Sequence, residues 1–323
     1  MPAVSVVYRA HDNDAMHGYR SNPTVVRRMV DELVLAVTHQ SSLASAWRTL
    51  VSPNDKVGIK ISAAGGELFT THRDVVKAIA DGLAAAGVPR QNIIVWDRSL
   101  GGIKEAGYSG NEGYQLRSIA PHDGYDPKVT VSAPYLGNLI WGDLDYVGGK
   151  GESPLLSDDT NTSSVSYVAK IVTKEVTKIV NVPVFSNSER NGIAGCLYNM
   201  TIPNIDNYRR FGVPPDYGAT AIPQIYSDPL IGGKVVLNIM DGLLAEYAGG
   251  PLSQPNYAIQ YNTILASKDP VALDAVAGRQ IDVWRKQHKF PSIIRTGAHV
   301  AVAAQMGLGN ASSSRIEIRN VGR

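Results

Sequence analysis

Residues 57–97 read VGIKISAAGGELFTTHRDVVKAIADGLAAAGVPRQNIIVWD, and this stretch decides the fold. Val57, Ile59 and Ile61 alternate as a strand does. Thr71-His-Arg-Asp74 has the form of a capping box, with Asp in place of the preferred Glu. Val76, Ile79 and Leu83 then give the buried stripe of a helix, which Gly87 and Pro89 end. Asn92-Ile-Ile-Val-Trp-Asp97 follows as an apolar strand ending in a carboxylate. Strand, helix and strand in this order form a βαβ unit, whose crossover is right-handed in ~98% of cases.

The pattern extends outward on both sides. Asn22-Pro23 starts a helix over 23–38, with Val26, Met29, Leu33 and Val37 at helical spacing. Leu43, Trp47 and Leu50 predict a second short helix, stopped before Pro53. Downstream, 178–185 (KIVNVPVF), 235–240 (VVLNIM, ending at Asp241-Gly242) and 263–267 (TILAS) read as strands. Asp269-Pro270 opens a helix with a Leu273, Ala277, Ile281 and Trp284 stripe. A last helix covers 298–306, and 315–321 reads as a closing strand. Between these regular parts, 98–165 is rich in Gly, Tyr, Ser and Asn and reads as long loops with minor strands. Within it, Gly148-Gly149-Lys150-Gly151 lacks phosphate-loop spacing and reads as a flexible turn. Apolar strands alternating with helices predict an α/β fold, a mainly parallel sheet with helices on both faces and a long Gly/Tyr-rich loop insertion. We expect one unit over 1–323, with 1–175 and 176–323 as tightly joined lobes if it divides.

Composition narrows the function. The 323 residues include 31 Lys+Arg and 29 Asp+Glu, a net charge of +2, and the basic residues are scattered, which argues against nucleic acid. No apolar run approaches the roughly 18 residues of a membrane span. The one cysteine, Cys196, cannot close an internal disulfide and reads as a buried inert thiol. With no Cys-x-x-Cys-His either, neither an iron–sulfur cluster nor a haem is expected, and the residues name no cofactor. Residues 1–20 carry no charged segment followed by an apolar one, which points to a cytoplasmic chain; an exported chain whose signal has been removed leaves the same pattern. His11, Asp12, Asp14 and His17 match no strong metal template and read as a solvated turn. There is no G-x-S-x-G, H-E-x-x-H or G-x-G-x-x-G after a strand.

Several spaced segments resemble one family. They are Val57-Gly-Ile-Lys60, Asp97-Arg98, Asn181-Val-Pro-Val184, Asp241-Gly242, Gly249-Gly-Pro251, Asp269-Pro-Val-Ala-Leu-Asp274 and Gly307-Leu-Gly309. Together, over about 46–321, they look like the domain-of-unknown-function family 362. The resemblance implies a fold more than an activity, because that family is largely uncharacterised. One region departs from the family pattern. There the strand resembling N-V-P-V is followed by a Lys and a His, then a Lys-Asn pair, then another His. Here the same places hold Ser186-Asn187-Ser188, Tyr198-Asn199 and Tyr208-Arg209. Ser and Asn have no pKa near neutrality, so if those places are catalytic in the family, the chemistry here is lost or changed.

Parallel sheets bind ligands beyond the carboxyl ends of their strands. Four strand ends carry polar groups: Ser62 with Gly65-Gly66, Asp97-Arg98-Ser99, Ser186-Asn187-Ser188, and Asp241-Gly242. They are expected to converge on one cleft, with Lys60, Asp97 and Asp241 as its catalytic candidates. Ser186, Asn187, Ser188, Asn199, Arg209 and Asp274 are the candidates for ligand binding. Each has a plainer reading: Asp97 and Asp241 as turn residues, Lys60 as a solvent-face lysine on an edge strand, His72 as a surface histidine. Helix geometry makes Asp269 a cap and places Asp274 about 140° away, as a buried polar contact or a cleft residue. Two functions fit. One is binding or transforming a small polar or anionic molecule in the cleft. The other is a non-catalytic interaction or assembly protein whose partner surface is the 98–160 loops.

Overall fold

The computed structural model of the chain describes residues 4–132, 165–212 and 214–322. The expected turn at Gly148-Gly149-Lys150-Gly151 lies outside them.

The first βαβ unit forms as the sequence dictates. Strand β4 (Val57–Ile61) leads through helix α3 (Arg73–Ala85) to β5 (Ile93–Ser99), and the two strands pair in parallel. Before it come β1 (Ser5–His11), the hairpin β2 (Met16–His17) and β3 (Arg20–Ser21), α1 (Pro23–Thr38) and α2 (Leu43–Arg48). After it come α4 (Leu100–Glu105), β6 (Gln115–Ala120), β7 (Tyr125–Ser132) and β8 (Val165–Ala169), so the expected loop region holds a helix and two strands among its described residues and ends where β8 begins. The remainder is β9 (Lys178–Val182), β10 (Val184–Ser188), β11 (Gly192–Ile193), α5 (Cys196–Thr201), α6 (Ala221–Tyr226), β12 (Val235–Glu246), β13 (Ala258–Ser267), α7 (Pro270–Gln287), α8 (His299–Gln305) and β14 (Ile316–Val321).

Ten of these strands build a mixed sheet in the order β14-β1-β13-β12-β9-β4-β5-β6, with β10 beside β12 and β11 beside β10, while β2 with β3 and β7 with β8 form two separate pairs. From β12 to β6 every pairing is parallel, whereas β13 runs antiparallel to both its neighbours. Both faces are covered because the strands alternate. Val57, Ile59, Ile61, Ile93, Val95, Val180 and Val182 pack with the α1, α2 and α3 stripes. Ile94, Trp96 and Ile179 face the other way, toward Leu197, Met200, Ile222 and Val271. Each buried aliphatic chain contributes about 1.5–3 kcal/mol, which is why strands of this kind tolerate few polar residues. No helix of the described residues is long and apolar enough to cross a membrane.

Two local expectations are corrected. Thr71 does not cap α3. The capping position is His72, which makes no side-chain cap bond, while the Thr71 hydroxyl donates to the Val182 carbonyl at 2.7 Å. Strand β12 does not stop at Asp241-Gly242. It runs on to Glu246 because β13 pairs with it past that point, through a register shift between Gly242 and Leu244. A local turn preference yields here to tertiary strand pairing.

The Asp269-Pro-Val-Ala-Leu-Asp274 motif proves to be a clamp. Asp269 caps α7 by accepting from the Ala272 N–H at 2.9 Å, and it also accepts from Ser5 Oγ at 2.5 Å and the Asn310 N–H at 2.9 Å. A Cβ on Gly309 would collide with this carboxylate, which explains the Gly307-Leu-Gly309 segment. Asp274 instead accepts from the N–H groups of Cys196 and Leu197, at 2.5 and 2.9 Å, at the start of α5. It is wholly buried, and burial pushes its carboxyl up to about 7 against the pull of those two bonds.

Candidate functional site

Lys60 sits on a central strand and is not a solvent-face lysine. Its register partners are Trp96 on β5 and Asn181 on β9, and α5 covers it. None of its surface is exposed. The ammonium donates to Asp97 Oδ1 at 2.6 Å, to the Ile61 carbonyl at 2.7 Å and to Asn199 Oδ1 at 3.2 Å. Burial lowers its pKa, while Asp97 pulls the other way.

A buried polar row continues from this pair across the sheet. Asn199 Nδ2 donates to Asn181 Oδ1 at 2.9 Å, Asn181 Nδ2 to Asn238 Oδ1 at 2.9 Å, and Asn238 Nδ2 to the Ser267 carbonyl at 3.4 Å. Each amide is buried and each satisfies its neighbour, so the row is compatible with an apolar surround. Asn181 and Asn238 were not among the expected site residues. Their signal was a lone Asn inside each of two otherwise apolar strands, KIVNV and VVLNIM.

The outer end of the row opens on a cavity of about 540 Å³. It lies beyond the carboxyl ends of β4, β5, β10 and β12, where parallel sheets place their ligands. Ser62–Ala64, Asp97–Ser99, Glu189–Asn191 and Gly249–Leu252 form its walls, and Tyr198, Tyr208 and Arg209 close it. Asp97 enters with its second oxygen on the Ala63 N–H at 2.6 Å and 8% of its side chain exposed. Arg98 stacks on Tyr208, 3.8 Å from the ring centre, and donates to the Ile205 carbonyl at 2.7 Å. Arg190 and Arg209 make no ion pair with a carboxylate among the described residues.

The other candidates lie elsewhere. Ser186, Asn187 and Ser188 do not line the cavity. They hold its wall in place: Asn187 Oδ1 accepts from the Gly250 N–H at 2.9 Å, Ser186 Oγ donates to Glu246 Oε2 at 3.0 Å, and Ser188 Oγ accepts from the Asn191 N–H at 3.1 Å. Glu189 takes the Gly249 N–H at 2.8 Å. Asn199 acts through Lys60, and Asp274 serves the start of α5. Asp241 does not line the cavity either, because it lies mid-strand behind His72. Of the four polar segments, Ser62 and Asp97-Arg98-Ser99 therefore meet at this cavity, whereas Ser186-Asn187-Ser188 and Asp241-Gly242 do not line it. Among the described residues no group of three His, Cys, Asp or Glu side chains is placed to hold a metal ion. Cys196 is buried, and burial pushes its thiol well up.

Comparison with known proteins adds the lineage. No curated protein matches the chain. A solved Thermotoga maritima protein, a Northeast Structural Genomics Consortium target, is 12% identical, with a TM-score of 0.42. That match covers 90% of this chain, which spans 60% of the Thermotoga maritima chain. The model of the family described as "Domain of unknown function (DUF362)" matches residues 56–279, which include the Lys60–Asp97 pair, the polar row and the whole lining of the cavity. With more than half of its length so matched, this chain belongs to the DUF362 family.

Proposed function

We propose that the strand-end cavity binds a small anionic molecule, a carboxylate or a phosphate. Arg190 and Arg209 supply the charge, and Asp97 lies at the floor with its own charge met by Lys60. The observation that carries this reading is the imbalance of partners. Asp97 is already satisfied by Lys60 and the Ala63 N–H, while the two arginines at the rim have no carboxylate of their own. A guanidinium fork matches the paired oxygens of either anion. Tyr198 and Tyr208 add hydroxyl donors, and burial keeps the Tyr198 phenol protonated by raising its pKa. If the bound molecule is transformed, Asp97 is the carboxylate that would meet it, and Lys60 positions Asp97 from below.

Isothermal titration with inorganic phosphate and with succinate tests the reading. Binding of at least one anion is expected, weakened by about tenfold or more in Arg209→Gln, as loss of a charge-assisted bond of about 1.5–3 kcal/mol requires. Equal affinity in the two proteins, or no binding of either anion, would count against it.

A further inference from the structure

The connection from β4 to α3 gives its first residues to that cavity and its last to another. This second cavity, about 700 Å³, is lined by Tyr19, Ser21, Glu67, Thr70, Asp74 and Tyr114 among others, and His72 reaches it from the core.

His72 is held as a base is held. Its Nδ1 lies 2.8 Å from Asp241 Oδ2, and its own N–H donates to the same oxygen at 2.7 Å. Asp241 has no exposed surface, and its other oxygen takes the Leu243 N–H at 3.1 Å. A carboxylate in this position can only accept, so Nδ1 carries the proton and the neutral ring keeps its lone pair on Nε2. That nitrogen makes no hydrogen bond within the described residues, and 12% of the side chain is exposed.

We propose that the second cavity is a separate proton-transfer site. In it His72 takes a proton from a hydroxyl of a small neutral polyhydroxylated molecule, and Asp241 is the positioning residue behind the ring. The O–H bond breaks, the proton joins the Nε2 lone pair, and the electron pair stays on the oxygen. The imidazolium then rests on Asp241 until the proton returns. The lining argues for a neutral ligand. Arg20, Arg73 and Lys77 are offset by Glu67, Asp74 and Glu112, and Asp74 is already engaged by Ser21 Oγ at 2.6 Å. Of these charges Asp74, with Asp241 from β12, acts on the ring, while Arg20, Arg73, Lys77, Glu67 and Glu112 line the cavity that it reaches. Burial opposes the imidazolium, but Asp241, and after it Asp74, outweigh burial and raise the His72 pKa.

Diethyl pyrocarbonate, which acylates neutral imidazole, tests this on the native chain, with peptide mass mapping as the readout. His72 should be modified faster than the wholly buried His299, with a midpoint above the ordinary histidine value of 6.5. In Asp241→Asn the midpoint should fall by about one to three pH units. Sorbitol should protect His72 and leave the exposed His17 unprotected. If Asp241→Asn does not fold, histidine nitrogen NMR of the wild-type chain decides, with protonated Nδ1 and bare Nε2 expected in the neutral ring. Reactivity no greater than that of His299, an unmoved midpoint, the reverse tautomer or no protection by sorbitol would each overturn the proposal.

Discussion

Lys60 Nζ lies 2.6 Å from Asp97 Oδ1, and none of the lysine is exposed. Breaking a buried pair strands the surviving charge, and removing either partner typically costs about 3–5 kcal/mol. Lys60→Met and Asp97→Asn should each show a loss of that order in urea unfolding. The double variant should lose less than the sum, by about 2 kcal/mol. Additive losses would mean that the two groups do not depend on each other.

Asp269 and Asp274 offer a second comparison. A simple cap is worth about 1 kcal/mol, but Asp269 also holds Ser5 and the Asn310 N–H, so Asp269→Ala should cost about 2–3 kcal/mol. Asp274→Ala should cost about 3 kcal/mol, because it leaves two buried N–H groups without their acceptor. Urea midpoints at constant slope measure both. A loss under about 1 kcal/mol at Asp269 would reduce the clamp to an ordinary cap.

Much of this scaffold is legible in the sequence. Asn22-Pro23 and Asp269-Pro270 mark the starts of α1 and α7, and their side chains make the cap bonds the residue types imply. Alternation marks β4, whose Val57, Ile59 and Ile61 enter one core, and a continuous apolar run marks β5, whose two faces enter different cores. What sequence hides is set by distant residues. Thr71 has the form of a cap, yet its hydroxyl finds Val182, and the N–H of His72 is taken by Asp241 from β12. Asp241-Gly242 has the form of a turn, yet pairing with β13 carries the strand through it. Lys60 reads as an edge lysine until α5 is placed over it. Of the expected ligand set, Arg209 reaches the cavity, whereas Ser186, Asn187 and Ser188 are one layer behind it, a distinction that no spacing rule contains.

His299 makes acid stability testable. It is wholly buried, and burial pushes its imidazole down to about 4. Above the unfolded value of about 6.5 the ring is neutral in both states and contributes nothing. As pH falls below that value the unfolded chain takes a proton that the folded chain refuses. Stability is therefore lost down to about pH 4, by about 3 kcal/mol in all. Glu246 and Asp274, both raised to about 7 by burial, work the other way and stabilise the fold as pH falls through that value. Their part cancels in the difference between wild type and His299→Leu. That difference should shift in favour of the variant between pH 6.5 and 4, as read by urea unfolding at each pH. A difference that does not change with pH would place His299 in contact with solvent.

The central claim is that the strand-end cavity is an anion site, and diffraction from crystals grown with the tighter-binding of phosphate and succinate tests it most directly. Density for the anion is expected within hydrogen-bond reach of the Arg190 and Arg209 guanidinium groups, above Asp97. Density at another place on the protein, with this cavity holding none at a saturating anion concentration, would contradict it.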